Sequence, residues 1–92
     1  MARPIQFARR FPRTWNSLSQ AQKDRILDII IELPVLLKNP HQHSGFGLRR
    51  LHGSDYYEVG VDLRWRLILK MDNREIILFD VLSHDQVRRL SR

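Results

Sequence analysis

Hydrophobic residues follow a helical spacing in the first half of this chain and a spacing of two in the second half. Between Ala21 and Leu37 they form a broad apolar stripe, and most charged residues fall on the opposite side, as in an amphipathic helix. From about residue 46 onward, apolar and polar residues alternate in short runs, as in half-buried strands. The pattern therefore predicts helices first and a β-sheet afterwards.

The first half is expected to begin with a short strand over Pro4–Ala8 and a short helix over Pro12–Leu18, because proline favours a helix start. Ser19 to Gln22 has the form of a capping box, in which each side chain bonds the backbone N–H of the other residue. Pro34 should end or bend the long helix, since it removes one helical hydrogen bond. Asn39–Pro40 predicts a firm stop.

The second half is predicted to fold as strands and a short terminal helix. Alternation along one strand places Arg64, Arg66 and Lys70 on one face with Ile68, and Trp65 on the other. The order of elements predicts one α+β domain, residues 1–92, in which an N-terminal helical hairpin packs on one face of a small antiparallel sheet. The expected strands of this half cover 46–51, 56–61, 64–71 and 75–82, with a turn at Asp72–Arg74 and a short helix or turn over 84–90.

Charge narrows the range of partners. Sixteen basic residues, most of them arginine, stand against ten acidic ones, giving +6. The planar fork of arginine matches phosphate oxygens, which favours a nucleic-acid ligand; a solvated basic face or an acidic protein partner is the alternative. The chain has no cysteine, which excludes disulfides and thiol chemistry. No apolar run is long enough to span a bilayer, so we expect a cytoplasmic protein.

Several motifs, taken in their order along the chain, resemble the RelE/ParE superfamily of toxins from type II toxin–antitoxin systems. They follow an N-terminal strand and a helical hairpin that ends at Asn39–Pro40. The motifs are Leu48-Arg49-Arg50-Leu51-His52-Gly53, Tyr57-Glu58-Val59, Trp65-Arg66-Leu67-Ile68-Leu69 and His84-Asp85-Gln86-Val87. The resemblance covers nearly the whole chain. It implies a compact basic fold whose ribonuclease members cut messenger RNA, usually within the ribosome, without a metal, and whose gyrase-directed members do not.

RNA cleavage without a metal needs a base, an acid and a cation beside the phosphate. The resemblance makes Arg66 the candidate cation, with a structural pair to Glu58 as the alternative. It makes His84 the candidate acid or base, because imidazole can change protonation near neutral pH; a surface or helix-capping histidine is the alternative. Glu58 is a third catalytic candidate, which either takes a proton or holds Arg66; an exposed strand carboxylate with a salt-bridge role is the alternative.

Other basic residues are expected to bind the RNA backbone, unless they form an ordinary solvated face. Two histidines at 41 and 43 without a nearby carboxylate or cysteine are a poor ligand set, so neither a metal site nor a cofactor is predicted. His41 and His52 stand beside the expected active face, but their roles stay open. The predicted substrate-binding residues are Arg49, Arg50, Arg64, Lys70, Arg88 and His43.

One departure from the family keeps a second function open. Many ribonuclease members carry an aromatic residue in the closing motif, whereas this chain has Arg88 near that place and no tyrosine after Tyr57. The guanidinium of Arg88 offers a flat surface for a base to stack on instead. The alternative is a toxin that binds and poisons DNA gyrase without nuclease activity. Under the first hypothesis the partners are messenger RNA and the ribosome, and under either one a cognate antitoxin protein is expected to cover the surplus apolar surface of the long helix.

Overall fold

Helices precede most of the sheet, in the order that the hydrophobic pattern predicts. The computed structural model describes residues 3–38, 47–51, 53–72 and 74–90, and for residues 35–38 it describes the backbone alone. The predicted boundaries hold within a residue or two for most elements. In chain order the described elements are β1 (Ile5–Phe7), α1 (Phe11–Ser17), α2 (Gln20–Lys38), β2 (Arg49–Arg50), β3 (Tyr56–Gly60), β4 (Trp65–Met71), β5 (Ile76–Ser83) and α3 (His84–Leu90).

The described strands form a five-stranded sheet in the order β1-β5-β4-β3-β2. The pairs β2–β3, β3–β4 and β4–β5 are antiparallel, whereas β1 pairs with β5 in parallel, with Ile5 opposite Ile76. The predicted antiparallel sheet is therefore confirmed for three of the described pairs, and the parallel pair at this edge is a feature that the sequence pattern did not predict. Because β1 and β5 lie at opposite ends of the chain, no tight turn joins them and constrains their direction.

The strand predicted over residues 46–51 is shorter in the structure, where only Arg49–Arg50 pairs with β3. Gly47 has a φ of 87°, in the left-handed region, which is incompatible with a strand. A turn begins at Leu51, whose N–H donates to the carbonyl of Tyr56 over 2.8 Å and whose carbonyl accepts from Ser54. Residues 46 and 52 lie outside the described part of the chain.

The main core lies between the α1–α2 hairpin and one face of the sheet, as predicted. Three residues of α2, spaced at i, i+3 and i+7, are fully buried. The buried part of α2 is narrower than its apolar stripe, because Leu27 and Ile31 are 47% and 73% exposed. The buried residues of this core are Phe11, Ile26, Ile29, Leu33, Val59, Val61, Leu67, Leu69, Ile76, Leu78 and Val81.

The start of α2 is the predicted capping box. Ser19 donates its N–H to Oε1 of Gln22 over 2.9 Å, and Gln22 donates its N–H to Oγ of Ser19 over 3.1 Å. The helix then continues past Pro34 to Lys38, so of the two effects predicted for this proline, an end or a bend, the end is wrong. The stop predicted at residues 39–40 lies outside the described residues. Nothing among the described helices is long and apolar enough to cross a lipid bilayer.

A second, smaller apolar cluster lies on the opposite face of the sheet, under α3. Its buried members are Leu51, Ile68 and Val87, with Tyr56, Phe79 and Leu82 packed against them. A bulge in β5 shifts the register between Ile68–Asp80 and Leu69–Leu78. Leu78 and Val81 therefore both join the main core while Phe79 packs into the second cluster. This second face carries most of the predicted site residues.

Candidate functional site

The register of β2, β3 and β4 builds the candidate site on the α3 face of the sheet. Residues that are directly opposite each other in paired strands point to the same face. Arg49 is opposite Glu58, Glu58 is opposite Ile68, and Gly60 is opposite Arg66. Because Ile68 belongs to the cluster under α3, all of these positions share that face. The predicted placement of Arg66 away from the main core is confirmed.

Arg66 is half-buried, and its guanidinium lies against the backbone of Gly60. A Cβ built on Gly60 would be 2.8 Å from Nη1 of Arg66, closer than side chains normally approach. Nε of Arg66 is buried and has no hydrogen-bond partner among the described residues. Its cationic head is thus held beside β3, with at least one donor uncommitted within the described part of the chain.

Glu58 is buried, and its carboxylate is committed to Arg49. Oε1 of Glu58 accepts from Nη2 of Arg49 over 2.8 Å, and the two side chains are 6% and 74% exposed. Within the described residues no ion pair joins Glu58 to Arg66. Among these residues Glu58 therefore does not hold Arg66 through an ion pair. Glu58 instead fixes Arg49, one strand further toward the edge.

His84 lies at the same end of β4 as Arg66. Its N–H donates to the carbonyl of Arg64 over 3.0 Å, and Arg64 and Arg66 are about 7 Å apart along the strand. His84 is exposed and opens α3. Its position is set by a second capping box, in which Ser83 donates its N–H to Oε1 of Gln86 over 2.8 Å and receives a bond from the N–H of Gln86.

The remaining predicted residues divide between this face and other surfaces. Lys70, opposite Tyr56, is exposed on the same face, and Arg88 is exposed on α3. Arg50 is opposite Tyr57, which packs against the main core, so Arg50 belongs to the other face. Its Nε donates to the carbonyl of Ser54 over 2.9 Å. The structure therefore separates the neighbouring Arg49 and Arg50.

Arg64 does not join this cluster. The guanidinium of Arg64 lies 5.6 Å from the ring centre of Trp65, a cation–π contact, and Trp65 packs against the main core. This geometry directs Arg64 away from Arg66. His43, like His41 and His52, lies outside the described residues.

The connection between β3 and β4 is fixed by Asp62. Its Oδ1 accepts from the N–H groups of Arg64 and Trp65 over 2.9 and 2.8 Å, and its Oδ2 accepts from Gln22 of α2 over 3.1 Å. Burial alone would raise the pKa of Asp62, but these hydrogen bonds and the positive charge of Arg64 outweigh it and lower the pKa. The loop that leads into Arg66 is therefore tied to the helical hairpin.

These groups can position and stabilise an anion. The half-buried Arg66, a second arginine fixed by a carboxylate and an exposed lysine can contact phosphate oxygens, and an imidazole at the same end of β4 as Arg66 can transfer a proton. No group of three or more His, Cys, Asp or Glu side chains within the described ranges could hold a metal ion.

A separate apolar groove lies between β1 and the two N-terminal helices. It has a volume of about 250 Å³. Phe7 is 55% exposed at its mouth, and the Lys23 ammonium lies 5.8 Å from the ring centre of Trp15. Its lining residues are Phe7, Phe11, Pro12, Trp15, Leu27 and Ile30.

Two features of the site were missed by sequence reasoning. The pattern Ser83-x-x-Gln86 repeats the spacing of Ser19 and Gln22, so the second capping box was available from the same rule. The role of Gly60 had no such signal, because it depends on which residue of β4 lies opposite it.

Comparisons with known proteins identify a family. A sequence model described as the ParE-like toxin domain matches residues 36–87, which is more than half of the chain and includes β2 through most of α3. No curated protein sequence matches the chain significantly.

Solved structures share the fold at low sequence identity. A chain of the RelB–RelE antitoxin–toxin complex from Methanococcus jannaschii is 17% identical with a TM-score of 0.68, covering 92% of this chain and 96% of that one. A chain of the E. coli DinJ–YafQ toxin–antitoxin complex is 20% identical with a TM-score of 0.64, covering 94% and 97%. A chain of the YoeB dimer from Staphylococcus aureus is 13% identical with a TM-score of 0.70, covering 91% of this chain and 99% of that one. At these identities the likeness establishes the fold.

Proposed function

The chain belongs to the family of ParE-like toxin domains, in the RelE/ParE superfamily of type II toxin–antitoxin systems, and we propose that it is an endoribonuclease that cuts messenger RNA without a metal. Its site of action is the ribosome in the cytoplasm, and the effect is arrest of translation. The observation that carries this proposal is that Arg66, a cation, and His84, a proton-transfer group, lie at the same end of β4.

In the proposed reaction the 2′-oxygen of a nucleotide attacks the adjacent phosphorus. A base takes the 2′-hydroxyl proton, the bond from phosphorus to the 5′-oxygen breaks, and an acid protonates that leaving oxygen. The products are a 2′,3′-cyclic phosphate and a 5′-hydroxyl. Arg66 stabilises the extra negative charge on the phosphorane oxygens, and His84 serves as one of the two proton-transfer groups.

Glu58 receives a supporting part in this proposal. Its buried carboxylate is bonded to Arg49 over 2.8 Å, so its charge serves to hold a substrate-binding arginine rather than to take a proton. Lys70 and Arg88 extend the basic surface along the RNA backbone, as both are exposed. Arg50 and Arg64 are directed elsewhere, which reduces their expected share of binding.

One observation favours a second function, the poisoning of DNA gyrase by binding. α3 carries no aromatic residue to stack on a base, since its sequence from His84 to Leu90 is HDQVRRL. The family model that matches the chain is also described as the ParE-like toxin domain. Under this alternative the arginines contact a protein partner, and RNA is not cut.

Primer extension on a translated messenger RNA separates the two functions. We expect cuts within codons when the purified protein is added to a translation extract, reduced on the order of a hundredfold or more in Arg66→Ala and His84→Ala. Arg74→Ala is the matched control: it also removes one positive charge, and its exposed side chain lies at the opposite end of β4. An intact transcript together with double-strand DNA breaks would establish the gyrase alternative.

We also propose that a cognate antitoxin neutralises this toxin through the apolar groove of β1, α1 and α2. The RelB–RelE and DinJ–YafQ neighbours are antitoxin–toxin complexes. In this chain the groove is apolar, and the segment 3–23, which supplies part of its lining, carries basic residues and no acid, which suits an acidic amphipathic segment. Co-purification with the product of a neighbouring gene, lost in Leu27→Glu and kept in Arg74→Ala, is the expected result; equal capture by both variants would contradict this location.

A further inference from the structure

Gly60 is a glycine whose backbone does not require glycine. The described glycines with positive φ are Gly47 and Gly53, at 87° and 71°, so Gly60 has a conformation that other residues adopt without strain. It is also the last residue of a strand, and it offers no side chain for packing there. The reason for a glycine here must therefore lie in what surrounds it.

What surrounds it is the guanidinium of Arg66. A Cβ at position 60 would be 2.8 Å from Nη1 and 3.9 Å from Cζ, and within the described part of the chain these are the atoms found within 4 Å outside its chain neighbours. Every side chain larger than hydrogen would thus occupy the volume that the arginine head now fills. The register places the two residues directly opposite each other, so the contact follows from the pairing of β3 and β4.

The backbone of Gly60 is itself held in place. Among the described residues, β2 pairs with Tyr57 and Glu58 and does not extend to Gly60. The carbonyl of Gly60 accepts from Nε of Arg25 on α2 over 3.3 Å. The surface against which Arg66 rests is therefore fixed to the helical hairpin.

We propose that Gly60 is a positioning residue, which gives the guanidinium of Arg66 a flat seat on β3 and so fixes its orientation for contact with a bound phosphodiester. This inference rests on the proposed function of Arg66 and adds a residue that acts only through it. The seat limits the guanidinium to one side of the strand, so an oxyanion above β4 meets a donor that is already oriented.

The substitution Gly60→Ala tests this proposal without unfolding the protein. Alanine fits the backbone, and the clashing atom is the far end of a flexible side chain. The guanidinium is thus expected to move by at least several tenths of an ångström while the sheet stays in place. A displacement of about 1 Å in a reacting group costs on the order of a hundredfold in rate, so we expect a tenfold to hundredfold loss of kcat with little change in KM.

The experiment is a double-mutant cycle over Gly60→Ala and Arg66→Ala, read by two methods. Primer extension measures cleavage, and two-dimensional ¹⁵N NMR follows the Nε–H signal of Arg66, assigned by its absence in Arg66→Ala. The expected result is a shifted, faster-exchanging Nε–H signal in Gly60→Ala, with no further loss of cleavage when Gly60→Ala is added to Arg66→Ala.

An unchanged Arg66 signal, or losses that multiply in the double variant, would overturn the proposal, because Gly60 would then act independently of Arg66. A shifted signal in a protein that cuts no RNA in any background would support the seat while refuting the proposed nuclease function. The two failures are therefore distinguishable.

Discussion

Replacing Arg49 with alanine should destabilise the protein although Arg49 itself is mostly exposed. Its partner Glu58 is a buried carboxylate with a 6% exposed side chain, and the bond between them is 2.8 Å long. Removing Arg49 leaves that charge buried without its cation. Breaking a fully buried pair costs about 3–5 kcal/mol, but 74% exposure of Arg49 lets water replace part of the bond. We therefore expect a loss of about 2 kcal/mol, within the range for a buried acceptor left unsatisfied.

Thermal unfolding followed by circular dichroism at pH 7 measures this loss. For a domain of this size about 2 kcal/mol corresponds to a decrease in Tm of roughly 10 °C. Arg50→Ala is the matched control: the same change one residue further on, where the partner Asp55 is 3.8 Å away and both side chains are more than 60% exposed. Its cost should stay below about 1 kcal/mol.

The substitution Glu58→Gln tests whether the loss in Arg49→Ala comes from the buried charge, because a neutral amide needs no cation. Adding Arg49→Ala to Glu58→Gln should therefore cost less than adding it to the native chain, with a coupling energy of about 1 kcal/mol or more. If Arg49→Ala and Arg50→Ala had equal effects, the carboxylate would not depend on Arg49. Under the proposed role, Glu58→Gln should also keep most of the cleavage activity, whereas a general base would lose it.

Two further outcomes follow from the fold. Pro34→Ala should stabilise the protein by about 1–3 kcal/mol in chemical denaturation, since α2 continues past Pro34 to Lys38 and alanine restores the helical N–H to the carbonyl of Ile30; an unchanged or lower midpoint would contradict this. The pKa values of Asp62 and Asp72 both lie below the ordinary 3.8, that of Asp72 because it accepts from the N–H groups of Glu75 and Arg74. A lowered pKa means that these carboxylates stabilise the fold above pH 3.8 and lose that effect as the pH falls through the lowered values, so Tm should drop in this window, and less steeply in Asp62→Asn and Asp72→Asn.

Local rules predicted the elements because their causes are local. The capping box at Ser19 and Gln22 and the turn at Asp72 depend on residues within three positions of each other. The parallel pairing of β1 with β5 depends on distant parts of the chain, and short-range patterns carry no information about it. The continuation of α2 past Pro34 is a tertiary effect, since burial of Leu33 and its neighbours against the sheet offsets the lost hydrogen bond.

The sequence predicted on which face of the sheet Arg66 lies, but it did not predict which arginine pairs with Glu58. Alternation placed Arg66 opposite the main core because the side-chain period of a strand is two. The partner of Glu58 required the register of β2, and a shift of that short strand by one residue would have presented Arg50 instead of Arg49. A two-residue strand offers no sequence pattern from which to fix that register.

The charge arrangement of the face follows from this pairing. Had Glu58 paired with Arg66, the central cation would be neutralised by a buried carboxylate and would lose much of its attraction for a phosphate. The structure instead gives the carboxylate to Arg49 at the edge and rests Arg66 on a glycine backbone that carries no charge. Among the described residues, the carboxylate of Glu58 thus fixes the position of Arg49 at the edge of the sheet. The arginine at the centre keeps its positive charge available for a ligand.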